Sequence, residues 1–130
     1  MLVDSSAWIE LLRATGSDVE RRLSAAIESD EQLLTAGPIV LEILAGARDE
    51  THAERLRALL ARCRYVRLRE PSDHEAAAAL YRTCRRGGST IRRLPDCLIA
   101  AVAMRVDAPL LHCDSDFEQI ARHTPLRLGA

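Results

Sequence analysis

Apolar and polar positions fall into blocks that switch between short apolar runs and faces of helical spacing. Met1–Val3 is an apolar run that stops at Asp4, and Ser5 and Ser6 can cap a helix carrying Trp8, Ile9, Leu11 and Leu12. After a break at Thr15-Gly16-Ser17, Val19, Leu23, Ala26 and Ile27 mark one face of a second helix, with Glu20, Arg21, Arg22 and Glu28 opposite. Gln32 to Ala36 predicts a strand. Pro38 then stands in the first turn of a helix through Ile39, Val40, Leu41, Glu42, Ile43 and Leu44, which Gly46 ends. Leu56, Leu59 and Leu60 give another amphipathic helix between Thr51 and Cys63, followed by a strand at 65–68. Ser72 to Arg86 is helical, with a run of high propensity from Ala76 to Ala79. Beyond the loop Gly87-Gly88-Ser89-Thr90 the pattern predicts a helix over 95–106, a buried strand over 108–112, a helix over 114–122 and a last strand over Leu126–Leu128. Strands and helices that alternate with short connections imply an α/β fold, a parallel sheet covered by helices on both faces.

Composition narrows this picture. A length of 130 residues, 48% of them hydrophobic, supports one core, so a single domain over residues 1–130 is expected. No apolar stretch approaches the roughly 18 residues that cross a bilayer, and MLVDSSAWIE lacks a basic segment followed by an apolar one, so a cytoplasmic protein is expected. The formal charge of −1 gives no broad positive field, and any nucleic-acid contact must be local. Every basic residue is Arg, which excludes mechanisms that need a catalytic lysine. Cys63, Cys84, Cys97 and Cys113 form no CxxC pair and His52, His74, His112 and His123 no HxxxH, so reduced core thiols are expected and a structural zinc is not.

Open parallel sheets bind ligands beyond the carboxyl ends of their strands. Asp4 follows the first strand; Asp114, with Asp116 two residues on, follows the strand at 108–112. Each alone is equally well explained as a helix cap, and Ser115-x-x-Glu118 has the form of a capping box. Asp96, just after Pro95, suits a helix dipole. Glu42 is less easily explained: it lies among apolar neighbours with no basic residue within one turn, and a buried carboxylate needs a cation. Taken together, acidic groups at two strand ends, on an apolar helix and at a helix start form an oxygen-only set that suits Mg²⁺ or Mn²⁺. Phosphodiester hydrolysis by a metal-activated water is the chemistry such a set serves.

The segments VDSSAWIE, IVLEILAGA, CRRGGSTIRRLPDCLIAAVA and LLHCDSDFEQIA, in this order and spacing, resemble those of the PIN-domain ribonucleases, and more closely the VapC toxins of type II toxin–antitoxin pairs. The resemblance covers nearly the whole chain. It implies a PIN-like (Rossmann-like) five-stranded parallel sheet sandwiched between helices, and a Mg²⁺- or Mn²⁺-dependent endoribonuclease. Asp4, Glu42, Asp96 and Asp114 match the family's catalytic, metal-binding carboxylates, and Asp116 matches a further metal-binding position. Ser6 matches a supporting hydroxyl that holds a metal-bound water or the Asp4 carboxylate, and helix capping does not exclude that role. The implied partners are a VapB-like antitoxin bound along helices such as the one bearing Trp8, Ile9, Leu11 and Leu12, an RNA substrate (tRNA, rRNA or mRNA), and a second copy in a homodimer.

No acidic residue lies between Glu75 and Asp96, an interval holding Arg82, Arg85, Arg86, Arg92 and Arg93. Arg85, Arg86, Arg92 and Arg93 are candidate RNA-backbone contacts, because a guanidinium fork matches phosphate; a solvated helix face or salt bridges is the alternative. Arg62, Arg64, Arg67 and Arg69 are read as a surface cluster. Trp8 and Phe117 are expected in the core or a groove, and four aromatics in all argue against a base-stacking platform. Two rival functions are a phosphotransfer domain with Asp at strand ends, which the absence of Lys disfavours, and a catalytically inactive PIN-like module that acts only through a protein partner.

Overall fold

A computed structural model describes residues 1–129; Ala130 lies outside them. The elements run β1 (Leu2–Val3), α1 (Ser5–Leu12), α2 (Asp18–Glu28), β2 (Leu34–Ala36), α3 (Gly37–Ala45), α4 (Glu50–Leu60), β3 (Arg64–Val66), α5 (Ser72–Arg86), α6 (Leu94–Arg105), β4 (Leu110–Leu111) and α7 (Ser115–His123). Every sheet pairing is parallel, in the order β3-β2-β1-β4, with Leu2 in register with both Leu34 and Leu110. Neighbouring strand residues point to opposite faces, and Leu2 and Val3 are both fully buried, so helices cover the sheet on both sides. Trp8 and Phe117 lie in the core, as expected.

The expected five-stranded sheet is corrected to four strands among the described residues. Leu126–Leu128 meets the sheet at one parallel bridge, Leu128 to Leu110. Two backbone hydrogen bonds make that contact, Leu110 N to Arg127 O at 2.9 Å and Gly129 N to Leu110 O at 2.7 Å. A longer ladder has nothing to pair with, since β4 has only two residues. Upstream, Pro125 has no amide to offer, and the Leu126 amide donates to Thr124 Oγ1.

Capping explains where the helices start. Asp4, rather than Ser5 or Ser6, caps α1 by accepting from the Ser6 amide, and Asp114, rather than Ser115, caps α7 by accepting from the Asp116 amide. Helices α3 and α6 have no side-chain cap and begin instead with Pro38 and Pro95 in the first turn. Leu41 is 71% exposed, so α3 is not enclosed all round as its sequence suggests. The four cysteines are free, but Cys113 is exposed rather than in the core.

From β1 the chain moves outward to β2 and β3, then returns to place β4 on the other flank of β1. The order therefore reverses between β1 and β4, and the crevice beyond their carboxyl ends is the preferred ligand position of an open parallel sheet. Asp4 and Asp114 follow those two strands directly or within three residues. At the close of α5, a Cβ on Gly87 would meet the His123 ring at 2.4 Å, so only glycine lets α5 approach α7 this closely. Ser89 Oγ then donates to Gln119 Oε1 at 2.8 Å and lies 3.0 Å from His123 Nε2, fastening the α5–α6 loop to α7.

Candidate functional site

At the switch point the structure brings together three of the five acidic residues singled out in the sequence, while Asp4 and Glu42 are not part of that group. Asp96, Asp114 and Asp116 each offer a carboxylate oxygen, and these atoms lie within 4.8 Å of one another. Asp96 is brought there by the first turn of α6, and Asp116 by the first turn of α7. Asp4, Asp96 and Asp116 are all buried.

Burial without compensation distinguishes two of them. Asp4 Oδ1 and Asp96 Oδ2 are buried and have no hydrogen-bond partner. Buried polar atoms are nearly always paired, so an orphaned carboxylate oxygen on Asp96, within the cluster, and another on Asp4 leave hydrogen-bonding capacity that the fold does not fill. Burial raises the Asp4 carboxyl, the hydrogen bonds from Ser6 oppose this, and the Glu42 charge adds to it. Asp96 is pushed up to about 8, first by burial, then by its hydrogen bond with Asp116 and the charges of Asp114 and Asp4, against the pull of Arg93. Burial also acts to raise Asp116, but hydrogen bonds from Asp96, from the Arg92 amide and guanidinium, and from the Arg93 amide hold it below the usual carboxylate range. One proton shared toward Asp116 thus relieves some of the repulsion among the carboxylates.

Glu42 comes from α3, and Ser5 Oγ donates to its Oε2 at 2.8 Å. The cation that its own helix lacks is Arg93, whose Nη2 stands 3.2 Å from Glu42 Oε2. Ser6 Oγ donates to Asp4 Oδ2 at 2.5 Å and accepts from the Cys113 amide at 2.9 Å, so it orients Asp4 and ties α1 to the loop after β4. In the sequence Ser5 stands out only as a possible helix cap, and nothing in its local pattern separates it from an ordinary first-turn serine. Cys97 follows Asp96 but is no ligand: burial first, then the charges of Cys84, Asp96 and Asp116, push its thiol up to about 12.

The four candidate arginines divide. Arg92 and Arg93 reach the acidic cluster, whereas Arg85 stacks over the Tyr81 ring at 5.7 Å and Arg86 bonds Thr83 Oγ1 on its own helix. Arg64, Arg67 and Arg69 are exposed, and β3 forms the edge of the sheet. The oxygen donors fit a hard divalent cation, which Asp96, Asp114 and Asp116 could hold.

Comparison with known proteins agrees with this geometry. The family model described as PIN domain matches residues 1–123. Ribonuclease VapC11 of Mycobacterium tuberculosis is 42% identical over 134 aligned positions, covering 100% of this chain and 98% of the relative. Among solved structures, VapBC2 from Rickettsia felis bound to a promoter DNA fragment superposes with a TM-score of 0.76 at 16% identity, covering 98% of this chain and 96% of that one. The sarcin–ricin-loop-cleaving toxin VapC20 of Mycobacterium tuberculosis gives 0.68 at 18% identity, covering 97% and 98%. The family-model match and the full-length sequence likeness lead to one conclusion: the chain belongs to the PIN-domain family, and within it is similar along its whole length to the VapC ribonucleases.

Proposed function

We propose that this chain is the toxin of a VapBC-type pair, a cytoplasmic metal-dependent endoribonuclease that hydrolyses RNA phosphodiester bonds. The observation that carries this reading is the meeting of Asp96, Asp114 and Asp116 at the switch point, with a buried, unpartnered oxygen on Asp96 and another on Asp4, whose charge bears on Asp96. Asp4, Glu42, Asp96 and Asp114 are the catalytic carboxylates, and with Asp116 they hold Mg²⁺ or Mn²⁺. Such an ion, when bound, supplies a more acidic water and Lewis-acid polarisation of the phosphate. Ser6 fixes the orientation of Asp4, and Ser5 that of Glu42. Arg85, Arg86, Arg92 and Arg93 place positive charge where the RNA backbone approaches.

Two surfaces support the partners. A groove of about 650 Å³ between α1, α3 and α4 is lined by Ile9, Leu12, Ile43 and Leu56, with Arg13, Arg48 and Arg55 among its polar groups, and it reaches Glu42. An antitoxin segment with apolar residues flanked by carboxylates fits it, and there it abuts the acidic centre. Leu41 and Leu94, 71% and 61% exposed, border a second apolar recess with Pro38 and Leu98, which suits the second copy of a homodimer.

The test is cleavage of total RNA by the purified chain with Mg²⁺ or Mn²⁺, with EDTA and Asp96→Asn as controls and the new 5′ ends sequenced. Discrete cuts lost in both controls are expected. Absence of cuts from folded, antitoxin-free protein favours a binding module instead.

A further inference from the structure

Arg92 and Arg93 meet the acidic centre through two separable sets of contacts. Their backbone amides donate to Asp116, Arg92 N to Oδ1 at 3.3 Å and Arg93 N to Oδ2 at 3.1 Å, and this fastens the loop whatever side chains it carries. Their guanidinium groups span the centre. Arg92 reaches Asp114 Oδ1 through Nη2 and Asp116 Oδ1 through Nε, each at 3.3 Å, and also Ser115 Oγ at 3.1 Å. Arg93 pairs instead with Glu42, its Nη2 3.2 Å from Oε2. Both side chains are half exposed or more, at 68% and 50%, so packing does not lock them in place.

We propose that these two guanidinium groups are the centre's own displaceable counter-cations, which hold Glu42, Asp114 and Asp116 when no divalent ion is present and turn outward when one binds. The inference rests on the metal-binding reading above. Exposed ion pairs are weak in water, so an ion coordinated by several carboxylates displaces them at small cost. Repulsion between the ion and the guanidinium charges favours the outward position. The amide bonds to Asp116 do not depend on the side chains, so the loop stays at the mouth of the site while the side chains swing. The orphaned oxygens of Asp4 and Asp96 are what neither arginine satisfies, and they leave the ion something to gain beyond a simple exchange.

Two measurements on the full chain test this. Calorimetric titration with MgCl₂ compares the wild type with Arg92→Gln, Arg93→Gln and the double variant; each single change removes a competitor and is expected to tighten Mg²⁺ binding about two- to fivefold. Nitrogen-15 NMR of the Arg92 Nε–H group, assigned by its loss in Arg92→Gln, is expected to move to the position of a free side chain in step with Mg²⁺ saturation. This second readout separates displacement from mere removal of charge. Unchanged or weakened Mg²⁺ affinity in the variants, or an Nε–H resonance that stays put at saturation, overturns the displacement and leaves the metal site standing. A wild-type chain that binds neither Mg²⁺ nor Mn²⁺ overturns both.

Discussion

Asp73 and Asp96 are both buried aspartates in the first turn of a helix, yet the protein treats them in opposite ways. Arg105 grips Asp73 with Nε on Oδ1 at 2.8 Å and Nη2 on Oδ2 at 2.9 Å, and the Arg69 amide adds a third bond at 2.8 Å. Arg105 Nη2 also donates to Arg67 O, which joins the end of α6 to the loop before α5. Burial acts to raise the Asp73 carboxyl, but the Arg105 and Arg69 contacts prevail and hold it below the usual range. Asp96 has no such pairing, keeps an orphaned oxygen and is pushed up to about 8. Burial of a carboxylate is therefore not what distinguishes a site from a strut; what distinguishes it is whether the fold itself completes the hydrogen bonding.

The largest expected effect follows from that contrast. Asp96→Asn should lower metal affinity and RNA cleavage at least about a hundredfold, since even the groups supporting a metal ligand cost 10–100-fold when changed. Its unfolding midpoint in urea without metal should stay level or rise, because a repelled carboxylate has been removed. Asp73→Asn should do the reverse, lowering stability by about 2–4 kcal/mol by leaving Arg105 without its charge partner, while the folded fraction still cleaves. Urea titration alongside a cleavage assay checks both, and a destabilised Asp96→Asn with a neutral Asp73→Asn breaks the comparison.

The two aspartates also answer pH in opposite directions. Asp96 titrates higher in the folded chain than in the unfolded one, so its protonation favours folding; that contribution is present at low pH and fades as pH rises from near 4 toward about 8. Asp73 titrates lower in the folded chain, so its contribution is present above the unfolded carboxylate value and fades as pH falls through the folded one. Thermal melts in EDTA should lose stability as pH rises from near 4 toward about 8 through Asp96, with Asp4 acting in the same direction, and as pH falls into the acid range through Asp73. Asp96→Asn should flatten the first limb only, and Asp73→Asn the second only.

The same contrast explains what the sequence could disclose. Asp4 and Asp114 were legible because a parallel sheet must place residues after its strands at one edge, and capping left that placement intact: both cap a helix, and Asp114 joins the carboxylate cluster as well. Glu42 was legible as an acid among apolar neighbours. Its cation was not, because Arg93 is 51 positions away and meets it only through the fold. Asp73 and Arg105, 32 positions apart, were invisible for the same reason. The missing fifth strand has a different cause. Leu126–Leu128 has the composition of a strand, but pairing depends on the length of its neighbour, and β4 is too short to carry it further.

The smallest effect separates the arginines that the site engages from those it leaves free. In EDTA, Arg92 and Arg93 are tied to carboxylates, whereas among the described residues Arg85 lies over a ring and Arg86 bonds a hydroxyl, contacts that can give way to a phosphate without loss of an ion pair. Binding of single-stranded RNA under these conditions should show a log–log salt slope that falls by about 0.7 for each of Arg85→Ala and Arg86→Ala, the counterion release of one phosphate contact. Arg92→Gln and Arg93→Gln should leave that slope nearly unchanged, because in EDTA those guanidinium groups are already neutralised from within. Fluorescence anisotropy across a salt series measures it. An equal fall in all four variants would mean that RNA phosphate outcompetes the carboxylates unaided, and an unchanged slope at 85 and 86 would make those two a solvated helix face.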